Sequence, residues 1–111
     1  LMIQRAVSNL LSNAIRYCTQ GQAVVVKVHR EQEHIRLSVG NPGQGIPEEH
    51  LPHLFERFYR VDKGRARSEG GTGLGLAIVR SIMSLHQGVA KVEITGSGFT
   101  WFHLSFPVNR L

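Results

Sequence analysis

Cysteine is nearly absent from this sequence. The single Cys18 cannot form a disulfide within the chain, and without a second cysteine there is no cysteine-based zinc site. Long hydrophobic stretches are also absent: no run of purely apolar side chains is longer than Ala23–Val26, whereas a membrane-spanning helix needs about 20 apolar residues. The 111 residues are 41% hydrophobic and 19% charged, which is typical of one folded domain.

Acidic residues are scarce as well. Eight Asp and Glu stand against 13 Lys and Arg, which gives a formal net charge of +5. This balance predicts an anionic partner such as a nucleic acid, a membrane, a nucleotide or an acidic protein face. Five of the basic residues fall between residues 57 and 67, directly before a glycine cluster, and this arrangement favours a phosphate ligand over a DNA groove.

The periodicity of apolar residues predicts helices that alternate with strands. Such an order is typical of an α/β fold in which a layer of helices packs on a sheet. The first two strands form a hairpin, and Gly88 ends the second long helix. The predicted helices cover residues 2–18 and 73–87, short helical turns cover 48–59, and the predicted strands cover 23–30, 34–40, 89–95 and 99–106.

Within these elements the positions of the apolar residues also predict which side chains lie on the same face. In each of the first two strands alternate residues lie on one face, and in the second long helix five residues are expected to point inward. The strand faces carry Val24, Val26 and Val28, and Ile35, Leu37 and Val39; the helix residues are Leu74, Ala77, Ile78, Ile82 and Leu85.

Two asparagines lie four residues apart on the first predicted helix. Asn9, Asn13 and Arg16 cluster on one side of it and border the apolar stripe. The carboxamide oxygen of asparagine is a neutral ligand for a hard cation such as Mg²⁺. Arg16 could reach an anion held by that metal. The alternative, in which both asparagines bond to backbone groups, stays open for the pair taken alone.

Glycines form two clusters, one in the turn after the second predicted strand and one before the second long helix. Small residues let backbone N–H groups approach an anion, and a helix N-terminus adds positive potential. The pattern is typical of a phosphate cradle, although a loop-to-helix junction that needs positive φ explains it equally well. The spacing is neither that of a P-loop nor that of a Rossmann motif. The clusters are Gly43 and Gly45, and Gly70, Gly71, Gly73 and Gly75, with Thr72 placed to cap the helix.

Together these segments resemble the ATP-binding domain of sensor histidine kinases, within the broader group that includes DNA gyrase, Hsp90 and MutL. The resemblance covers nearly the whole chain, with five motifs in the family's order. It implies a two-layer α/β sandwich of the Bergerat type, with about three helices on a mixed sheet of four to five strands. The motifs are the N box at Asn9–Tyr17, the first glycine box at Asn41–Ile46, the F box at Leu54–Asp62, the second glycine box at Gly71–Leu76 and the final motif at Gly96–Thr100.

The resemblance also implies a role for each matching residue. Asn13 would hold Mg²⁺, and Asn9 would support the phosphate side of the nucleotide. Arg16 and Arg60 would face the phosphates of ATP, and together with Asn13 they form the implied catalytic set. The remaining implied nucleotide contacts are Tyr17, Asn41, Gly43, Gly45, Ile46, Gly71, Thr72, Gly73, Leu74, Gly75, Leu76 and Thr100.

Two residues depart from the pattern of the wider group. Asn41 stands where the family has the Asp that reads adenine; a neutral acceptor is weaker, so Asn41→Asp is expected to tighten ADP binding. Asn9 stands where the gyrase and Hsp90 branches have a water-activating Glu, and a carboxamide cannot accept a proton near neutral pH. Phosphoryl transfer is therefore favoured over the first alternative, an ATP-driven conformational clamp. The second alternative, a basic nucleic-acid-binding module, is suggested by charge alone.

None of the six histidines has the context of a phospho-acceptor. The chain is accordingly predicted to be a single catalytic domain, residues 1–111, of a longer protein whose dimerisation and histidine-phosphotransfer domain carries the acceptor. The implied partners are ATP, ADP, that domain and a response regulator, with no nucleic acid and no membrane contact by this domain. The parent would be a homodimeric inner-membrane sensor kinase with this domain in the cytoplasm. Three segments are similar to the heavy-metal (copper/silver) branch: the turn Asn41–Gly43, Phe58–Asp62 and Ser81–His86.

Overall fold

The computed structural model describes residues 2–43, 45–59, 75–96 and 98–108. Within these ranges two α-helices and a short 3-10 helix pack on one four-stranded sheet, which confirms the predicted α/β sandwich. The α-helices are α1 (Met2–Tyr17) and α2 (Gly75–Leu85), and the 3-10 helix covers Glu48–His53. The strands are β1 (Val25–Glu31), β2 (His34–Pro42), β3 (Val89–Ile94) and β4 (Phe99–Pro107).

The sheet has the order β1-β2-β4-β3. The sequence predicted a mixed sheet, but all three pairings between the described strands are antiparallel. Two of these pairings, β1 with β2 and β3 with β4, are hairpins closed by short turns, which can join only antiparallel strands. The third pairing joins β2 to β4, which are far apart in the sequence. In the first hairpin the turn is two residues long, and Gln32 adopts a φ of 56°.

The hydrophobic core lies between the helices and one face of the sheet. Helix α1 contributes Ala6, Leu10 and Ala14, which are fully buried at a spacing of four residues. Full burial of a leucine side chain such as that of Leu10 stabilises the fold by about 1.5–3 kcal/mol. Helix α1 packs on β2 and on α2, while α2 packs on β3 and β4. None of the helices in the described residues is long and apolar enough to cross a membrane.

Of the predicted apolar faces, the shared face of Val26 and Val28 is confirmed, and the inward position of Leu85 is wrong. Val26 and Val28 do lie on the same face as the buried Val39, but they are 49% and 67% exposed. The cause is that β1 forms the edge of the sheet, beyond β2, on which α1 packs. Leu85 was expected to point inward, and at the end of α2 it is 68% exposed; Leu74 lies outside the described residues. The core instead takes Met83 from α2.

Helix α2 ends in a Schellman motif. The N–H of Gly88 donates to the carbonyl of Met83 at 2.7 Å, and the N–H of Gln87 donates to Ser84 at 3.1 Å. The left-handed residue is Gln87, with a φ of 59°, although Gly88 was the predicted stop. Gly88 is needed for a different reason, because a Cβ at this position would collide with the carbonyl oxygen of Ser105 on β4.

Candidate functional site

Three of the predicted motifs meet where β2 ends and β4 begins. The N–H of Thr19, just beyond α1, donates to the carbonyl of Pro42 at 2.9 Å. The N–H of Gly43 donates to the carbonyl of Gly98 at 3.4 Å. The C-terminal end of the N box, the first glycine box and the final motif are therefore direct neighbours in space.

A third contact connects the N box to the start of α2. The side-chain Nδ2 of Asn9 donates to the carbonyl of Gly75, the first residue of α2, at 3.4 Å. Helix α2 carries no acidic residue in its first turn, so no side chain of that turn neutralises the positive end of the helix dipole. An anion near Asn9 would meet this positive potential.

Asn13 and Arg16 continue the same side of α1 beyond Asn9. Asn13 is half-buried, whereas Arg16 is exposed in the last turn of the helix. The carboxamide oxygen of Asn13 is a suitable ligand for Mg²⁺. It fills only one position, so Asn13 alone cannot complete the coordination sphere of the metal. No group of three or more His, Cys, Asp or Glu side chains arranged to hold a metal occurs in the described part of the chain. A bound Mg²⁺ would take its other ligands from water and phosphate.

Asn41 and Thr100 are directly opposite each other in the β2–β4 ladder, and each is only 4% exposed. The Nδ2 of Asn41 donates to two backbone carbonyls, those of Tyr17 and Pro42, at 3.4 Å each. Tyr17 itself is 43% exposed at the margin of the site. The resemblance gave Asn41 and Thr100 separately as nucleotide contacts and predicted neither their pairing nor the bonds from Asn41 to α1.

Gly43 allows the first glycine box to approach α1 closely. A Cβ at this position would lie 2.9 Å from the carbonyl oxygen of Tyr17, so a larger residue would push the turn away from the helix. Gly45 has a φ of 81° in the same turn. Ile46 and Leu76 are half-buried and pack against the hydrophobic core, so their side chains hold the two glycine boxes on the fold.

Part of the predicted site lies outside the described residues. This is so for Arg60 and for most of the second glycine box. The nucleotide and metal roles of all the predicted site residues stay predictions. Two residues in the described site were not among the predicted contacts: Gly98, which accepts from Gly43, and Thr19, which donates to Pro42. The G-x-G-x-T motif could have indicated Gly98. The residues outside the described ranges are Arg60, Gly71, Thr72, Gly73 and Leu74.

The F-box segment packs against β4. The ring of Phe55 meets Phe102 of β4 edge to face, with centroids 6.0 Å apart. The hydroxyl of Tyr59 is hydrogen-bonded to Nδ1 of His50, and the ring of His53 stacks on Tyr59 at 5.3 Å. These contacts hold residues 54–59, the first part of the F box, against the 3-10 helix.

Comparison with known proteins places this arrangement in a family. The family described as "Histidine kinase-, DNA gyrase B-, and HSP90-like ATPase" matches residues 1–110, and the chain belongs to it. Within it the chain is similar to sensor kinases. It is 50% identical to the probable sensor kinase SilS of Salmonella typhimurium and 48% identical to the sensor histidine kinase CusS of Escherichia coli K12, in each case over 96% of the chain.

The likeness extends to solved structures. The mycobacterial sensor histidine kinase MprB is similar with a TM-score of 0.83 and 32% identity, over 96% of this chain and 72% of that one. The chain spans about a fifth of the length of its curated relatives, 21% for SilS and 22% for CusS. The resemblance drawn from the five motifs is thereby confirmed.

Proposed function

We propose that this chain binds Mg-ATP where α1, the ends of β2 and β4 and the start of α2 meet, and donates the terminal phosphoryl group to a histidine on another domain. The observation that carries the proposal is the set of contacts that joins four separate motifs: Tyr17 with Asn41, Gly43 with Gly98, and Asn9 with Gly75. The longest-range of these contacts, between Asn9 and Gly75, joins residues 66 positions apart in the sequence.

In this proposal Asn13 gives its carboxamide oxygen to Mg²⁺, and Arg16 faces the phosphates from the next turn of α1. The metal supplies charge neutralisation for the phosphate oxygens when it is bound. Because Asn13 is the single ligand proposed among the described residues and is neutral, we expect the metal to enter with the nucleotide and not before it. The start of α2 contributes positive potential on the same side.

Transfer to a histidine is favoured over hydrolysis by the chemistry of Asn9. Its Nδ2 is used as a donor to Gly75, and its carboxamide has no basic atom that could take a proton from water. In the proposed transfer, a ring nitrogen of the acceptor histidine attacks the γ-phosphorus, the bond to the β-phosphate oxygen breaks, and ADP leaves with that electron pair while the imidazole releases its proton to solvent.

Several histidines of the chain have structural partners, which supports an acceptor elsewhere. His103 is hydrogen-bonded through both ring nitrogens, to Ser38 at 2.7 Å and to Glu93 at 2.8 Å. His53 is bonded to Glu56 at 2.8 Å. We therefore assign the acceptor to a dimerisation and histidine-phosphotransfer domain of the same parent protein.

For the parent protein we propose a homodimeric sensor kinase of the inner membrane, with this domain in the cytoplasm and a response regulator as its downstream partner. The proposal rests on the sensor kinases SilS and CusS, of which this chain matches about a fifth. Sensing of a heavy metal such as copper or silver is proposed on the resemblance of the F-box and α2 segments to that branch.

The proposed transfer predicts a specific labelling pattern. Incubated with γ-labelled ATP and Mg²⁺, the chain alone should remain unlabelled and should release phosphate slowly. Addition of a purified dimerisation domain with its acceptor histidine should give acid-labile, base-stable label on that domain. The rate should rise with acceptor concentration, because the tether that raises the local concentration is missing.

The matched control is the same acceptor domain with its histidine replaced by glutamine, which should take no label. Label on the chain itself, or several phosphates released per second, would contradict the proposal that the phosphoryl group is transferred to a histidine on another domain. Rapid phosphate release would instead favour the ATP-driven clamp.

A further inference from the structure

We propose that Trp101 is a positioning residue of the nucleotide site, although its side chain lies on the opposite face of the sheet. Its indole ring holds β2 to β4 at the ladder position next to the pair of Asn41 and Thr100, and Gly40 is the residue that leaves space for the ring. The inference rests on the proposed nucleotide binding and deepens it.

Trp101 acts from the face of the sheet that carries no helix. Successive side chains of a strand point to opposite faces. In β4 the residues on either side of Trp101, Thr100 and Phe102, are buried, and Phe102 belongs to the core beneath the helices. Trp101 itself is half-buried on the other face. Its effect on a ligand beside Thr100 must therefore pass through the pairing of β2 with β4.

The fit between Trp101 and Gly40 is close. The two residues are directly opposite each other in the ladder. A Cβ at Gly40 would lie 2.6 Å from Cε3 and 2.7 Å from Cδ2 of the indole, whereas carbon atoms pack at about 3.5 Å or more. Glycine inside a strand weakens it, because it has no side chain to pack. Here the indole fills that space, and Gly40 is buried. The pairing at this position therefore depends on Trp101.

Other side chains fix the indole in place. The ring of Phe99 stacks on it with centroids 5.6 Å apart, and the ring of His103 stacks with centroids 6.1 Å apart. From β1 the ammonium of Lys27 lies over the ring, 5.2 Å from its centroid. His103 is held in turn by its hydrogen bonds to β2 and β3. The ring thus connects the first three strands of the sheet order β1-β2-β4 at the end that carries the proposed site.

This fit makes the effects of Gly40 and Trp101 interdependent. In the parent chain Gly40→Ala would push the indole out of its place, so it should act much like Trp101→Ala. In a chain that already lacks the indole, the added methyl group has space, and alanine packs better than glycine in a strand. Gly40→Ala should therefore weaken ADP binding in the parent chain and have little further effect in Trp101→Ala.

The experiment measures ADP affinity with Mg²⁺ by calorimetry, urea unfolding without nucleotide, and hydrogen exchange of the amides of Asn41 and Thr100. The affinities are measured where every variant is folded, so a loss of global stability does not by itself change them. The matched control is Leu37→Ala. Leu37 is half-buried, packs against the core from the other face of β2, and lies three residues before Gly40.

We expect Trp101→Ala, and Gly40→Ala in the parent chain, to weaken ADP binding about three- to tenfold, the size that loss of such ring contacts allows. In both variants the amides of Asn41 and Thr100 should exchange faster relative to the rest of the sheet. Trp101→Phe should keep most of the affinity, because a phenyl ring can still cover Gly40. Leu37→Ala should have a lower urea midpoint but bind ADP like the parent chain.

Several results would overturn the inference. One is unchanged ADP affinity in Trp101→Ala; another is an equal loss of affinity in Leu37→Ala. A third is an effect of Gly40→Ala that is the same with and without the indole. If Trp101→Ala does not fold, Gly40→Ala and Trp101→Phe still decide it. If the parent chain binds no nucleotide, the proposed function fails, and the urea and exchange measurements still show whether Trp101 holds β2 to β4.

Discussion

Asn13→Ala should abolish Mg²⁺-dependent ATP binding while leaving the fold nearly unchanged. Asn13 is half-buried beside the fully buried Ala14, so its truncation opens no cavity in the core. Its carboxamide is the proposed protein ligand of the metal, and without it the phosphates lose the link between Mg²⁺ and α1. We expect the affinity for ATP with Mg²⁺ to fall about 10²-fold or more, which corresponds to the loss of an interaction with a charged group.

The matched control is Gln4→Ala, which makes the same amide-to-alanine change on the exposed side of α1 and about 13 Å away along the helix axis. Calorimetric titrations of ATP with and without Mg²⁺ separate the two variants. Gln4→Ala should bind like the parent, and Asn13→Ala should lose the response to Mg²⁺. Equal affinity of Asn13→Ala and the parent in the presence of Mg²⁺ would exclude Asn13 as the metal ligand.

The largest effect on stability is expected for Phe102→Ala. Phe102 is 2% exposed on β4, between Val39 of β2 and Val92 of β3 in the strand register, and its ring meets that of Phe55. Removal of a buried aromatic ring from such a site costs about 3–5 kcal/mol. That is a large share of the stability of a domain of this size, and the F-box segment would lose its contact with the sheet.

Urea unfolding followed by circular dichroism measures this loss. Val28→Ala provides the control, since Val28 is also a strand residue with an apolar side chain but is 67% exposed; its effect should stay within about 0.5 kcal/mol. A loss below about 1 kcal/mol for Phe102→Ala would mean that the β4 face does not form the core in solution.

The sequence predicted most of the secondary structure because the relevant signals are local. The stripe of Ala6, Leu10 and Ala14 identifies α1, and alternation in β2 and β4 identifies the buried face of each strand. Exposure of Val26 and Val28 could not be predicted, because it depends on the position of β1 at the edge, and strand order is not a local property. In α2 the polar residues Arg80, Ser81 and Ser84 lie on one side, and Leu85 and Met83 both lie towards the margins of the apolar side, so periodicity did not decide between them.

The candidate site was predicted from the order of the motifs and not from contacts. The order of the motifs was sufficient to predict that Asn9, Asn41 and Thr100 belong to one nucleotide site. The described structure places Asn41 opposite Thr100. The bonds from Asn41 to Tyr17 and Pro42 arise only when the end of α1 packs over the end of β2. No pattern within either segment contains that information.

The central claim is that the chain is a nucleotide-binding domain whose ATP affinity depends on Mg²⁺. The direct measurement is a calorimetric titration of the parent chain with ATP, with Mg²⁺ present and with Mg²⁺ removed by chelation, at two salt concentrations. We predict saturable one-to-one binding that is much tighter with Mg²⁺. Absence of ATP binding, together with an affinity for single-stranded DNA that falls steeply with salt, would contradict the claim and favour a basic nucleic-acid-binding module.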